Sequence, residues 1–290
     1  MSKINSSDSP KARGQLTAAR IVVYVILIFL SVLCLFSFYM LFVNATRSNA
    51  DLQGGFRLLP STYFLTNLKN VWTDASIDIP RGMLNSFIIA SCTAVLSTYL
   101  SALTAYGIHA YDFKLKKAAF TFIMAVMVIP TQVSAVGFYQ MCVKLGWTNS
   151  YIPLIFSSAA APVVFFFMKQ YMESVLPMEI VDAARMDGSG EFRTFNTIIL
   201  PILRPALAVQ LIFNFVLSWN NYFMPALLLD KAEMKTVPLM IAQLRSADYS
   251  KFDMGKVYMF ILLAILPVVV VYICLSRHII KGVTAGSVKG

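Results

Sequence analysis

Six stretches of this chain, each 20 residues or longer, contain no Asp, Glu, Lys or Arg: Ile21–Val43, Met83–Ile108, Ala118–Val143, Leu145–Met168, Pro205–Leu229 and Val257–Ser276. A helix crosses the hydrocarbon core of a bilayer with about 20 predominantly apolar residues. The reading is an all-α integral membrane protein with six transmembrane helices. Composition agrees: 58% of the residues are hydrophobic, 13% are charged and the mean hydropathy is +0.69. A soluble domain carries about 25% charged residues, which excludes a cytosolic enzyme or a disordered chain. The basic excess of 24 Lys+Arg over 14 Asp+Glu is dispersed, so it makes no nucleic-acid footprint.

The third and fourth runs are separated only by Lys144, and Gly146, Asn149, Ser150 and Pro153 supply a turn there. The first run, at 23 residues, is longer than a signal-peptide core and is read as a retained helix. Cys34, Cys92, Cys142 and Cys274 lie inside the apolar runs and are read as small core hydrophobes, not disulfides or metal ligands. His109 and His278 stand alone and give no zinc site. With the N-terminus inside, 14 Lys/Arg fall on inner segments and 10 on outer ones. Lys114, Lys116 and Lys117 on one short loop oppose Lys144 on the other, which puts both termini in the cytoplasm. The expected organisation is a tail over residues 1–19, a six-span domain over 20–281 and a tail over 282–290.

The connection between spans four and five is the least membrane-like part of the interior. Pro177 suits the first position of a helix, with Glu179 in its first turn on the favourable side of the dipole. The helix continues through Asp182, Ala183 and Ala184 until Gly188 offers a left-handed stop. Ser189 then caps a second helix whose Phe192, Phe195 and Ile199 form one apolar stripe. Two short helices with a glycine elbow are expected over residues 177–201.

In this segment Asp182-Ala183-Ala184, three residues, Gly188, nine residues and Ile198-x-Leu200-Pro201 resemble the EAA loop of ABC importer permeases. Every spacing matches. Asp182 stands where the family has Glu, which keeps the charge and shortens its reach. Asn85-Ser86, Pro130-Thr131-Gln132 and Gly146-Trp147-Thr148-Asn149 are similar to the same family, and the tail Gly282–Gly290 is similar to that of maltose-type carbohydrate permeases. The resemblance implies a permease subunit of an ATP-driven, binding-protein-dependent importer for a sugar or oligosaccharide. It implies a second homologous permease, two ABC ATPase subunits and an extracytoplasmic binding protein as partners. Glu179, Asp182, Ala183, Ala184, Gly188, Ile198, Leu200 and Pro201 would make the ATPase-coupling surface, with the tail as a second coupling element.

No Gly-x-x-x-x-Gly-Lys-[Ser/Thr] sequence occurs, so the chain has no phosphate-cradling loop of that kind. The expectation is a non-catalytic subunit with no cofactor of its own, ATP and Mg being held by the partner ATPase. Span five carries Gln210, Asn214, Ser218, Trp219, Asn221 and Tyr222, the first three on one helical face. This polar and aromatic set suits sugar hydroxyls and rings; interhelical hydrogen bonding is the alternative. Thr93, Ser97, Ser101 and Ala105 in span two read as a small-residue packing seam. An ion-gradient-driven secondary transporter is the rival class, but it calls for ionisable groups within the membrane, which the runs lack. Amino acids or peptides remain open as substrates.

Overall fold

The computed structural model describes residues 10–245 and 253–286. All regular structure among these residues is helical. Four helical segments are long and apolar enough to cross a membrane: Arg20–Ala45 within α1 (Pro10–Ala45), α4 (Ile79–Ala110), Ile152–Val175, and Met254–Leu275 within α15 (Met254–Gly286). The number rises to six if two bent helix pairs are each one span.

The first bent pair is α5 (Lys116–Met127) with α6 (Thr131–Lys144), which meet at 96°. The continuous run expected over Ala118–Val143 is therefore broken. Pro130 has no N–H and biases Ile129 away from helical geometry, so α5 stops at Met127 and Pro130 caps α6 in an extended conformation. Polar and apolar composition alone does not register that break.

The fourth run also differs from its expected limits. Gly146 and Asn149 adopt left-handed φ values of 67° and 52°, so residues 145–151 form a turn and the helix begins at Ile152. It comprises α7 (Ile152–Phe156), a tighter turn at Ser157–Ala159, and α8 (Pro162–Val175). Downstream, α9 (Met178–Met186) leads to α10 (Glu191–Thr194), a π-helical turn Phe195–Ile199 and α11 (Leu200–Ile202). The run from Glu191 to Ile202 meets α12 (Arg204–Trp219) at 84°, with Pro201 and Pro205 flanking the bend.

α12 ends ten residues before the expected Leu229. Asn220 donates its side-chain amide to the Val216 carbonyl, and the Asn221 side chain accepts from the Met224 N–H to begin α13 (Phe223–Leu228). Two adjacent asparagines thus offer the backbone local partners that compete with continued helix. α14 (Val237–Arg245) follows. The C-terminal helix continues through Gly286, beyond the expected Ser276, and α1 begins at Pro10 inside the expected tail. Of the tail motif Gly282–Gly290, residues 287–290 lie outside the described ones.

The chain forms two compact units. The first comprises residues up to Val71 together with Asp253–Leu262. It includes α2 (Asn49–Gln53) and α3 (Phe64–Trp72) as far as Val71, and its buried Asn67 donates through the side-chain amide to the Ala45 and Arg47 carbonyls at 2.9 and 2.8 Å. Gly255 fits here because an added Cβ would stand 2.7 Å from the Arg47 carbonyl oxygen. Along α1, Arg20 to Tyr39 are exposed, a row rich in Ile, Val, Leu and Phe that suits a lipid surrounding.

The second unit comprises Trp72–Phe252 and the chain from Leu263 onward. Its main core joins Ala102, Ala105 and Tyr106 of α4 to Phe165, Met168 and Met172 of α8. The same core includes Val181, Phe195, Ile199 and Leu203, so the inner side of the α9–α11 segment is fixed to these helices. Ser97, Ser101 and Ala105 are buried on α4, where small side chains let helices approach closely. Of the four cysteines only Cys142 is buried; Cys34, Cys92 and Cys274 are exposed. Their reading as core residues fails because in a bilayer the outward faces are apolar too.

Candidate functional site

The α9–α11 segment presents the expected pair of short helices and elbow. Gly188 adopts φ +74°, donates its N–H to the Arg185 carbonyl, and is followed by Ser189, which donates to the Ala184 carbonyl at 2.9 Å. Those two bonds satisfy the last carbonyls of α9 in the Schellman arrangement, for which a left-handed glycine is the usual residue. The details differ by single positions. Pro177 lies just before α9, and Gly190, not Ser189, precedes the first turn of α10. The Ser189 hydroxyl instead accepts from Thr194 at 2.9 Å.

The segment has an inner and an outer side. Val181, Ala184, Phe195 and Ile199 are buried, whereas Glu179, Asp182, Ala183, Met186 and Asp187 face out. Neighbours on a helix point about 100° apart, and of Ala183 and Ala184 only Ala183 is exposed in this chain. Phe192 likewise leaves the expected apolar stripe and is exposed, while Phe195 and Ile199 are not. Met186 and Phe192 flank the elbow at 83% and 68% exposure. Ile198 and Leu200 are partly buried and Pro201 is exposed.

A polar cluster unforeseen in the sequence holds the elbow. Arg185 donates through Nε to one Glu191 carboxylate oxygen at 2.8 Å, and Tyr106 of α4 donates its hydroxyl to the other at 2.8 Å. Arg185 also reaches Asp182 at 3.3 Å and the Ala110 carbonyl at 3.3 Å, and lies 5.3 Å from the Tyr111 ring centre. The bond to Glu191 raises the Arg185 guanidinium above its ordinary value. Burial, with the Glu191 carboxylate adding to it, raises the Tyr111 phenol. The only sequence signal was a cation and an anion placed on either side of Gly188.

Span five delivers part of its polar set to one place. Asn214, Ser218 and Asn221 line a cavity of about 220 Å³ together with Thr93, Ser157 and Ser158. The Thr93 hydroxyl is buried there without a hydrogen-bond partner among the described residues. It was expected in the packing seam and instead adds to the cavity wall. Gln210 is buried off this cavity and accepts from Asn214 through its backbone carbonyl at 2.7 Å. Trp219 stacks on Phe215 and donates to the Ala264 carbonyl at 3.1 Å, so it is a packing residue. Tyr222 is half exposed outside the cavity. A larger hollow of about 680 Å³ in the first unit, beside Arg47, Asp51 and Phe56, has none of these residues.

At the opposite end of α4 from the elbow, three polar residues hold the connection that follows α13. Asn85 donates to the Glu233 and Lys235 carbonyls at 3.0 Å, and Ser86 accepts from the Val237 N–H. Asn149 accepts through its side chain from the Asp230 and Lys231 N–H groups, and its own N–H donates to the Leu228 carbonyl. Asn85, Ser86 and Asn149, from two of the three family-like stretches, tie this loop down, whereas Pro130-Thr131-Gln132 stands at the start of α6.

Helices long and apolar enough to cross a membrane mark a membrane protein, and known proteins narrow the class. Residues 97–284 match the family of binding-protein-dependent transport system inner membrane components. The chain is 31% identical to the arabinooligosaccharides transport system permease protein AraQ of Bacillus subtilis over 95% of its own length and 98% of that protein's. It is 29% identical to the trehalose/maltose transport system permease protein MalG of Thermococcus litoralis, covering 93% and 97% of the two chains. It is 30% identical to the sn-glycerol-3-phosphate transport system permease protein UgpE of Salmonella typhi, over 86% and 90%. A chain in the crystal structure of a bacterial ABC transporter involved in the import of alginate shares the fold, with a TM-score of 0.78, 19% identity and coverage of 96% and 99%. The protein belongs to the binding-protein-dependent permease family. That membership sets aside the ion-gradient-driven secondary transporter.

Proposed function

We propose that this chain is one of two permease subunits of an ATP-driven importer for a sugar or oligosaccharide, with both termini in the cytoplasm. Two ATPase subunits would bind on that side and a solute-binding protein on the other. The observation that carries the reading is the outer side of the α9–α11 segment: Met186 and Phe192 project on either side of a hydrogen-bonded left-handed elbow, with Asp182 and Ala183 beside them. Exposed apolar knobs flanking a fixed turn suit a partner's groove. The inner side is sealed into the core of α4 and α8, so force applied to the loop passes to the spans. ATP binding shifts the transporter only as far as the loop contacts differ between its states.

The cavity at Asn214, Ser218 and Thr93 supports a polar solute. Amides and hydroxyls exchange hydrogen bonds with sugar hydroxyls without demanding charge. At about 220 Å³ it is smaller than the ~300 Å³ lower bound of drug-sized ligand sites. It would serve as one wall of a passage completed by the second permease. Similarity to permeases named for arabinooligosaccharides, trehalose and maltose points the same way.

The test is ATP hydrolysis by the purified complex with its binding protein, measured across arabino-, malto- and galacto-oligosaccharides and glycerol 3-phosphate. Stimulation by one oligosaccharide series supports the assignment. Stimulation by glycerol 3-phosphate alone, or by amino acids or peptides added to the same panel, would replace it.

A further inference from the structure

The elbow contains two glycines within three residues, Gly188 and Gly190, and neither has a side chain to pack. A hinge so built would absorb motion applied to α9 unless something closed it. We propose that Glu191 is that closure and the relay to α4: a positioning residue that makes α9, α10 and the end of α4 move as one body. The inference rests on the reading of this loop as the ATPase contact.

The geometry has three links. Arg185 at the end of α9 and Glu191 at the start of α10 bridge the elbow at 2.8 Å, so opening it breaks a charge-assisted bond. The second Glu191 oxygen accepts from Tyr106, a residue of the last turns of α4, at 2.8 Å. Arg185 donates at 3.3 Å to the carbonyl of Ala110, the last residue of α4, which has no acceptor role inside its own helix. One carboxylate thus joins three helices. Apolar contacts back the link, because the buried Phe195 ring lies 5.5 Å from Tyr106 and 5.8 Å from Tyr99. The charged pair sits at 34% and 38% side-chain exposure. That leaves it within reach of solvent at the loop while the Tyr106 end is buried.

A packing role and a relay role predict different outcomes. If the cluster only docks the loop, its loss loosens the assembly. If it relays motion, its loss leaves the ATPases bound and active while α4 stops responding to them. Tyr106→Phe removes one hydroxyl and keeps the ring in the core; Glu191→Gln keeps the shape and removes the charge that binds Arg185.

The experiment uses the full complex with the native cysteines replaced by alanine and a fluorescent label on Leu84→Cys. Leu84 is 57% exposed near the far end of α4, so its signal reports motion carried along that helix. The probe is a non-hydrolysable ATP analogue, which needs no identified sugar. The label should respond in the otherwise unaltered complex, and both Tyr106→Phe and Glu191→Gln should cut that response about five-fold or more, the lower end of ordinary coupling between sites. ATPase subunits should remain bound in the same ratio and hydrolyse ATP. A full-size response in both variants overturns the relay, and so does loss of the ATPase subunits from both. Failure of the unsubstituted chain to bind any ATPase would instead overturn the functional reading beneath it.

Discussion

Replacing Gly188 by alanine separates backbone geometry from contact at the elbow. Gly188 sits at φ +74°, and an added Cβ would meet nothing within 4 Å, so the cost lies in the backbone alone. An L-residue held in the left-handed region costs roughly 1–2 kcal/mol. At about 2–4 °C per kcal/mol for a chain of this general size, that is a fall in melting temperature of roughly 2–8 °C. Relaxing the backbone instead breaks the Gly188–Arg185 and Ser189–Ala184 bonds and swings Arg185 away from Glu191. Gly190 is the internal control: its φ is −66° and its Cβ position is equally open, so Gly190→Ala should stay within about 0.5 kcal/mol of the parent. The assay is thermal unfolding of the detergent-solubilised complex, paired with sugar uptake into proteoliposomes at fixed ATP. Gly188→Ala should lower both and Gly188→Val should abolish uptake, because a β-branched residue is least tolerant of positive φ. Equal behaviour of the alanine variants at 188 and 190, or an active Gly188→Val transporter, would refute the reasoning.

Other outcomes follow from single contacts. Gly255→Ala should destabilise the first unit by about 1–3 kcal/mol through overpacking, since its Cβ would stand 2.7 Å from the Arg47 carbonyl and 2.8 Å from the Asn67 amide; a thermal shift in detergent checks this. Asn149→Ala removes the acceptor of two loop N–H groups and should speed tryptic cleavage at Lys231 several-fold, an effect absent from Asn196→Ala. The Ser48 hydroxyl, bonded to Asp51 at 2.8 Å, holds that carboxyl below its ordinary value of 3.8. Its contribution is therefore present above pH 3.8 and lost as pH falls through the depressed value. Ser48→Ala should move loosening of α2 to higher pH, read by amide exchange over residues 49–55 as the pH is lowered through 3.8.

The membrane class was legible because lipid imposes length and polarity on every spanning helix, and α4 and α15 contain the expected runs whole. Gly188 was legible because few residues tolerate its backbone conformation. The bends were not, because polarity says nothing about direction: Pro130 sat inside an uninterrupted apolar run, yet α5 and α6 diverge there by 96°. The early end of α12 depended on Asn220 and Asn221 choosing local backbone partners over continued helix. Half of the polar stripe reached the cavity, because Asn214, Ser218 and Asn221 face it while Trp219 turns toward Phe215. Glu191 was invisible because its partner Tyr106 lies 85 positions away in the chain.

The central claim is that the outer side of α9–α11 meets an ATPase. In a background lacking native cysteines, single cysteines at Met186, Phe192 and Asp230 can be offered a short bifunctional reagent in membranes containing the full transporter. Met186→Cys and Phe192→Cys should cross-link to an ATPase subunit, with yields that change when ATP is added, while Asp230→Cys should give no ATPase product. ATPase cross-links from Asp230→Cys, with none from the two elbow positions, would contradict the account and place the coupling surface at the other end of α4.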